Sequence, residues 1–459
     1  MKKHLLLLTL PVLSMALLLS ACRNSADRQE QAGEDTATYE SPAWSRDAVL
    51  YELNVRQFSD EGTFSAVEER VDELADLGVD VIWFMPIHPI GELERKGPLG
   101  SYYSVRDFKD VNPEFGDMDD FRSLVSSIHQ AGMYVMMDWV PNHSSWDNPL
   151  AEEHPEWYVK DSTGSFVSPY DWTDVIQFDW SNEELQEYMM EALLYWVEEL
   201  DIDGYRVDHP HVTPAEFWLE ARLAMEKIKP VLMLAENEDR VEFFEKGFDM
   251  NYSWELHHLM NRVAQGEEEA RVLHRALEED LERFPDDAGR LRFITNHDEN
   301  SWAGTIEERM GEAHEAFAVF MYTIPGVPLI YNGQEAGLNK RLEFFDRDPI
   351  EWRDSYLRDF YTSLNTLKEE NPALHNFRWA GDFTGVTVTG DADVYAFRRE
   401  KDDNIIITII NFDDEAAEFT VNTGSSGEYK DYFSGDNIII DNNKTLLLEG
   451  WSYLVLTAL

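Results

Sequence analysis

Four apolar runs in this chain end on groups able to act as acid, base or nucleophile. Asp138 closes "MYVMMD", Asp208 closes "GYRVD", Glu236 closes "VLMLAE", and His297 with Asp298 closes "FITNHD". One carboxylate after an apolar run is weak evidence, because charged residues commonly open loops; four behind four such runs form a pattern. Arg206 and Asp208 are two apart on one predicted strand and share a face, so the guanidinium should keep Asp208 ionised. A carboxyl crowded by other carboxylates in a partly dry pocket has its pKa raised, which is the expectation for Glu236. An ionised and a protonated carboxyl supply the nucleophile and the acid for glycoside cleavage with retention.

The residues after Asp208, "HPHV" (His209 to Val212), suggest a competing chemistry in which two imidazoles hold one metal ion. The first predicted strand, "VLYELNVRQF", has no histidine to complete such a set, and Arg206 would place positive charge beside the ion. The metal ligands are therefore unassigned. Next, "TPAEFWLEARLAMEKIK" begins with a capping threonine, Thr213, then Pro214 in the first turn and Glu216 to complete a capping box. This leaves His209 to Val212 as the loop between strand and helix.

Positioning these groups needs a scaffold, and the pattern from Ala48 to about Asn371 supplies one. Short β-rich apolar runs (Val49 to Phe58, Val79 to Pro86, Met133 to Val140, "IDGYRVD", Val231 to Glu236, Leu291 to Asp298, Gly326 to Gly333) alternate with amphipathic stretches such as Ser65 to Gly78, Met118 to Gly132 and Asn182 to Leu200. Near-continuous apolar strands separated by helices imply a parallel sheet covered on both faces. A weaker run near Lys246 to Ser253 brings the count to eight, which favours an α/β fold closed into a (β/α)8 TIM barrel, with the site at the carboxyl ends of the strands. The segment 142–180, rich in Trp, Tyr and Pro, is too apolar and too long for a turn and reads as a small subdomain inserted after the third strand. Beyond "NPALHNF" the period changes to two. The barrel is thus expected over 42–375 and an all-β sandwich over 376–459.

The amino end reads as an export signal: residues 1–22 hold two lysines, a short apolar run broken by Pro11, and "LSAC". Cys22, the sole cysteine, stands where lipidation requires it, and 23–41 reads as a disordered tether. A bacterial membrane attachment through this lipid alone follows, at the cell surface or in the periplasm. With 38 basic against 90 acidic residues and a formal charge of -52, the surface repels nucleic acid and anionic lipid heads and suits a neutral substrate. Such a surface also suits high salt, where self-repulsion is screened; a monomer is expected.

The sequence resembles the α-amylase family of glycoside hydrolases. "DWVPNH" (Asp138 to His143), "GYRVD" (Gly204 to Asp208), "MLAEN" around Glu236 and "NHD" (Asn296 to Asp298) match that family's four short regions in order; "GSYYSVRDF" and "GVPLIYNGQE" match further segments. The resemblance implies retaining, internal cleavage of α-1,4-glucosidic bonds in starch, glycogen or maltooligosaccharides. Asp208 would be the nucleophile, Glu236 the acid/base, and Asp298 the third carboxylate. Tyr103, His143, Arg206 and His297 would face the sugar, Asp138 and Asn142 would support them with Arg206, and His211 with His209 would line the leaving side. Many family members carry Lys-His three and four positions after the nucleophile, where this chain has His211 and Val212, and "AEN" lacks the aromatic that often follows the acid. Asn142 matches a usual calcium ligand, so a structural calcium fits the resemblance although the chemistry requires no cofactor. Related readings are a cyclomaltodextrinase, neopullulanase or transglycosylase; a different class is a glucan-binding lipoprotein without catalysis, which the three retained carboxylates argue against. Asp346 and Arg347, and the platforms Trp139, Trp172, Trp180 and Trp254, are secondary candidates. His257 and His258 read as surface residues.

Overall fold

The computed structural model describes residues 39–458 except 392, 424–426 and 442–443. The export signal with Cys22 and nearly all of the tether lie outside the described residues. Among those described, no helix is long and apolar enough to cross a membrane.

Eight parallel strands close into a barrel in sequence order: Leu50–Leu53, Val81–Phe84, Tyr134–Trp139, Gly204–Val207, Leu232–Ala235, Met250–Tyr252, Gly289–Arg292 and Val327–Tyr331. Period-two alternation divides each strand between two cores. Leu50, Val81, Trp83, Met136, Leu232, Leu234, Met250 and Leu329 fill the barrel, whereas Tyr51, Ile82, Val135, Tyr205, Val207 and Met233 pack outward with the helices. Continuing the inward register towards the carboxyl ends brings Glu52 on the first strand, Asp138 on the third and Arg206 on the fourth into the barrel. Asp138 and Arg206 are direct ladder partners.

Several boundaries differ from the sequence expectation. The first strand stops at Leu53, and Val55–Phe58 coils into a helical turn that continues into the loop. The helix expected over Ser65 to Gly78 is two pieces, Phe64–Glu68 and Val71–Leu77, the second stopped by Gly78 at φ 83°. The seventh strand ends at Arg292 rather than Asp298, so Phe293 to Asp298 leave the ladder and are free to turn their polar groups over the barrel mouth. The capping box at Thr213 does not form. The helix begins at Ala215, while Thr213 Oγ1 donates to the Pro210 carbonyl at 2.7 Å and accepts from Trp218 Nε1; the hydroxyl holds the preceding single turn of 3-10 helix, Pro210–Val212, instead.

After the third strand the chain makes the inserted subdomain, whose hairpin pairs His143–Ser145 with Val175–Gln177. The carboxyl-terminal part is two antiparallel sheets of six and three strands. Val394, Ile407, Ile409 and Leu456 of the larger sheet pack on Phe419, Val421 and Leu448 of the smaller, which makes the expected sandwich.

Candidate active site

The carboxyl ends of the barrel strands open into a cavity of about 460 Å³ whose wall includes Tyr103, His143, Asp208, Glu236, His297 and Asp298. The fully buried Arg206 lies beneath them. Its Nη1 lies 2.9 Å from Asp138 Oδ1 and 3.2 Å from Asp208 Oδ1, and its Nη2 forms a 2.6 Å ion pair with Glu236 Oε1. Three carboxylates thus share one guanidinium, and although burial works against that charge, Asp138 and Glu236 hold it firmly protonated. Arg206 therefore supports the site from below and does not reach the cavity wall, a correction to its expected sugar contact.

The ionisation of the two central carboxyls is the reverse of the expectation. Burial and the neighbouring Glu236 and Asp138 push Asp208 up to about 7, against the pull of His209 and Arg206. For Glu236 burial also opposes the charge, but Arg206, His209, His297 and the His209 N–H at 3.2 Å outweigh it, so its carboxyl lies below the usual range. The guanidinium makes its closest contact with Glu236 at 2.6 Å and a longer one with Asp208 at 3.2 Å, which favours the charged form of Glu236 over that of Asp208. A carboxylate oxygen of Asp208 and one of Glu236 lie within 4.8 Å.

His297, in the segment that follows the seventh strand, is bonded to Glu52 of the first. Its Nδ1 sits 2.5 Å from Glu52 Oε1, and its backbone N–H donates to Glu52 Oε2 at 3.3 Å. On the other edge Nε2 lies 3.0 Å from the Tyr103 hydroxyl and 3.4 Å from Asp298 Oδ2. Burial favours the neutral ring, yet Asp298 and Glu52 lift it to about 9, so both nitrogens carry protons and Tyr103 Oη is free to donate to Asp138 Oδ2 at 3.1 Å. Sequence reasoning missed Glu52, although it is the one acid within an otherwise apolar strand. His143 is the opposite case: burial lowers it to about 3. Its neutral ring donates from Nε2 to the Tyr103 carbonyl and accepts at Nδ1 from the Asn142 amide, both at 3.1 Å. Asp298, with 40% of its side chain exposed, is the most open of the three carboxylates.

A family model for the alpha amylase catalytic domain matches residues 27–154 and 150–397, and one for the alpha amylase C-terminal all-beta domain matches 388–455. The chain belongs to the α-amylase family. It is 29% identical over 420 residues to the alpha-amylase MalA of Haloarcula japonica, a match covering 87% of this chain and 60% of that protein; the chain thus spans about three-fifths of that relative's length. It is 25% identical over 432 residues to a cyclomaltodextrinase of a Bacillus species, covering 82% of this chain and 74% of that one. Among solved structures, the noncanonic maltogenic alpha-amylase AmyB of Thermotoga neapolitana superposes with a TM-score of 0.83 at 28% identity, over 90% of this chain and 99% of that one. An alpha-amylase of Lactobacillus plantarum superposes at 0.82 and 29% identity, over 91% and 100%.

Where this α-amylase-family site departs from the sequence expectation, the departures lie in its loops. Of the histidine pair after Asp208, His209 lines the cavity and His211 does not. A left-handed backbone at φ 42°, ψ 52° turns His209 outward, its ring against Trp172 with centroids 5.3 Å apart. Trp172 reaches the cavity as one of the four candidate platforms; Trp139 and Trp180 are buried, and Trp254 stacks on Tyr252. Asp346 and Arg347 are exposed, while the two residues before them, Phe344 and Phe345, line the wall together with Trp302 and Lys96. His257 is buried, its Nδ1 on the Phe293 carbonyl at 3.1 Å and its Nε2 3.0 Å from Glu299, which corrects its surface reading. Asn142 turns its amide nitrogen to His143.

Proposed function

We propose that this protein hydrolyses α-1,4-glucosidic bonds of starch, glycogen or maltooligosaccharides with retention, through a glycosyl ester on Asp208. The observation that carries the reading is the closeness of the carboxylates: one oxygen of Asp208 and one of Glu236 lie within 4.8 Å, which suits the roughly 5–5.5 Å spacing of retaining pairs better than the about 6.5–9.5 Å of inverting ones. Asp208 attacks the anomeric carbon as Glu236 gives its proton to the departing oxygen; Glu236 then takes a proton from water as that water opens the ester. These steps require a protonated Glu236 beside an ionised Asp208, the opposite of the direction in which Arg206 and burial bias the pair without substrate. Positive charge developing on the anomeric carbon favours that arrangement, because the negative charge then rests on the carboxyl nearest it. His297, protonated on both edges, and Asp298 at the mouth are placed to hold the ring hydroxyls, and the Tyr103 ring lies beside them.

Incubation with amylose, followed by proton NMR of the first products, tests the reading. Release of the α-anomer is expected, and Asp208→Asn and Glu236→Gln should each lower turnover by about 10³-fold or more without unfolding. Release of the β-anomer, or near-wild-type activity in either variant, refutes it. Pullulan and cyclodextrins assayed alongside separate this from the related ring-opening and transfer activities, which the cyclomaltodextrinase relative keeps in view.

We further propose an exported, lipid-anchored enzyme adapted to salt. The leader and Cys22 support export and lipid anchoring to a bacterial membrane, with the membrane met only through that lipid. The charge of -52 supports work at high salt on a neutral glucan and not on nucleic acid, by a monomer. The chemistry needs no cofactor. Dialysis against a chelator decides the part of calcium: retained activity supports independence, and a loss restored by calcium alone assigns it a structural place.

A further inference from the structure

One side of the cleft is an unbroken wall of loops. The segment 91–105, after the second strand, is bonded on one flank to the loop after the eighth, the Leu99 N–H donating to the Phe345 carbonyl at 3.0 Å. On the other flank it holds the inserted subdomain: Ser104 Oγ donates to the Asp174 carbonyl at 3.0 Å, Ser145 N–H to the Val105 carbonyl at 2.9 Å, and Glu92 N–H to Asp147 Oδ2 at 3.0 Å. Within this wall Lys96 Nζ reaches Asp174 Oδ1 at 3.1 Å, and both residues line the cavity. The Asp174 side chain is 5% exposed and that of Lys96 33%. The wall is already joined without this pair, and an ion pair with one nearly buried partner adds little net stability because desolvation offsets the attraction. Its position at the cavity therefore calls for a functional account.

Chemistry fixes which end of the cleft it occupies. Glu236 must lie at the departing oxygen, so His209, whose backbone N–H donates to it at 3.2 Å, flanks the sugar that leaves. Tyr103, His297 and Asp298 flank the sugar that is retained. The Phe344 ring lies parallel to Tyr103, 9° apart with centroids separated by 6.3 Å, and so continues the retained-sugar end. The Lys96 loop is bonded to Phe345, and the Asp174 backbone to Ser104 next to Tyr103, which sets the pair at this end.

We propose that the Lys96–Asp174 pair closes the retained-sugar end of the cleft, so that a glucan enters by its non-reducing terminus and leaves short products of narrow size. The proposal rests on the α-glucan reading above and departs from the internal cleavage expected from sequence. With the end closed, only a few glucose units fit beyond the anomeric carbon, and a mid-chain segment would have to break the pair and strand a buried carboxylate. The Lys96 ammonium then meets the terminal hydroxyls.

The experiment compares two nitrophenyl maltoheptaosides, one with a free non-reducing glucose and one with that glucose capped by an ethylidene acetal. The wild-type protein is expected to favour the free substrate in kcat/KM by at least about tenfold, the scale of one excluded contact in a tight pocket. The double variant Lys96→Ala/Asp174→Asn, which opens the end without leaving a lone charge, should bring the ratio to within about threefold and broaden the products from amylose. Equal cleavage of both substrates by the wild type overturns the proposal, and so does an unchanged ratio in a variant that melts like the wild type. Cleavage of neither substrate refutes the α-glucan reading itself and the proposal with it.

Discussion

Asp208 answers to two demands that pull apart. Its folded pKa near 7, against an ordinary 3.8, means that the folded chain holds this proton more tightly than the unfolded one. Its contribution to stability therefore declines as pH climbs from about 4 to 7 and stays lost above. Asp208→Asn removes that penalty along with the nucleophile, so the variant should be inactive yet melt a few degrees above wild type at pH 8, with the gap closing towards pH 4; about 1–2 kcal/mol would produce such a shift in a chain this long. A variant that melts lower at pH 8 contradicts the burial argument. His297 runs the other way. Raised to about 9, it stabilises the fold fully below about 6.5 and loses that contribution as pH passes through 9. Glu52→Gln should return its titration towards the ordinary histidine range, visible in histidine NMR, and move the alkaline limb of activity to lower pH; an unmoved resonance would show that Asp298 alone holds the charge. The carboxylates were legible in the sequence because each closes an apolar run. Their order of ionisation was not, because it depends on which oxygen the Arg206 fork meets at 2.6 Å, and spacing along a strand carries no such information.

Strands carry the positions of these groups, and the pairing of the fourth and fifth carries Asp208 and Glu236 together. Gly204 opens the fourth strand directly opposite Leu232. A Cβ there would stand 2.0 Å from the Leu232 carbonyl oxygen, so backbone must yield. Gly204→Ala should therefore cost about 3 kcal/mol or more and displace the two carboxylates relative to each other, read as a lowered Tm and a kcat loss larger than any rise in KM; a variant with wild-type melting and turnover would show that the strands shift freely. The barrel, the insertion and the sandwich were legible because period and chain spacing report them. Loop contents were not. Trp302, Phe344 and Lys96 reach the wall only because Phe293 to Asp298 leave the ladder early and the 91–105 segment bonds across to Phe345 and the insertion, long-range choices without a local signature. The same limit explains His209. A left-handed turn at one residue leaves His209 at the cavity and His211 out of it, and only the folded backbone shows it.

At the scale of the whole molecule, the balance of 90 acidic to 38 basic residues is a property of the surface, since the buried ionic groups are largely paired: Arg222 with Asp249, Arg292 with Asp280, Arg206 with its three carboxylates. Buried pairs feel salt little, whereas exposed like charges repel over a Debye length that shrinks from about 10 Å at 0.1 M to about 3 Å at 1 M ionic strength. Added salt should therefore relieve the compact state of self-repulsion while leaving the site's electrostatics intact. The expected outcome is a Tm that rises by roughly 5–10 °C from 0.1 to 1 M sodium chloride, with kcat nearly constant over the same range at a temperature where the protein is folded at both ends. Screening depends on ionic strength alone, whereas surface exclusion favours sulfate over chloride; the two salts compared at equal ionic strength tell the mechanisms apart. Coincident curves support the charge argument, a sulfate curve well above chloride assigns the effect to exclusion, and a Tm that is flat or falling in both removes the link between this acidic surface and a salt-rich habitat.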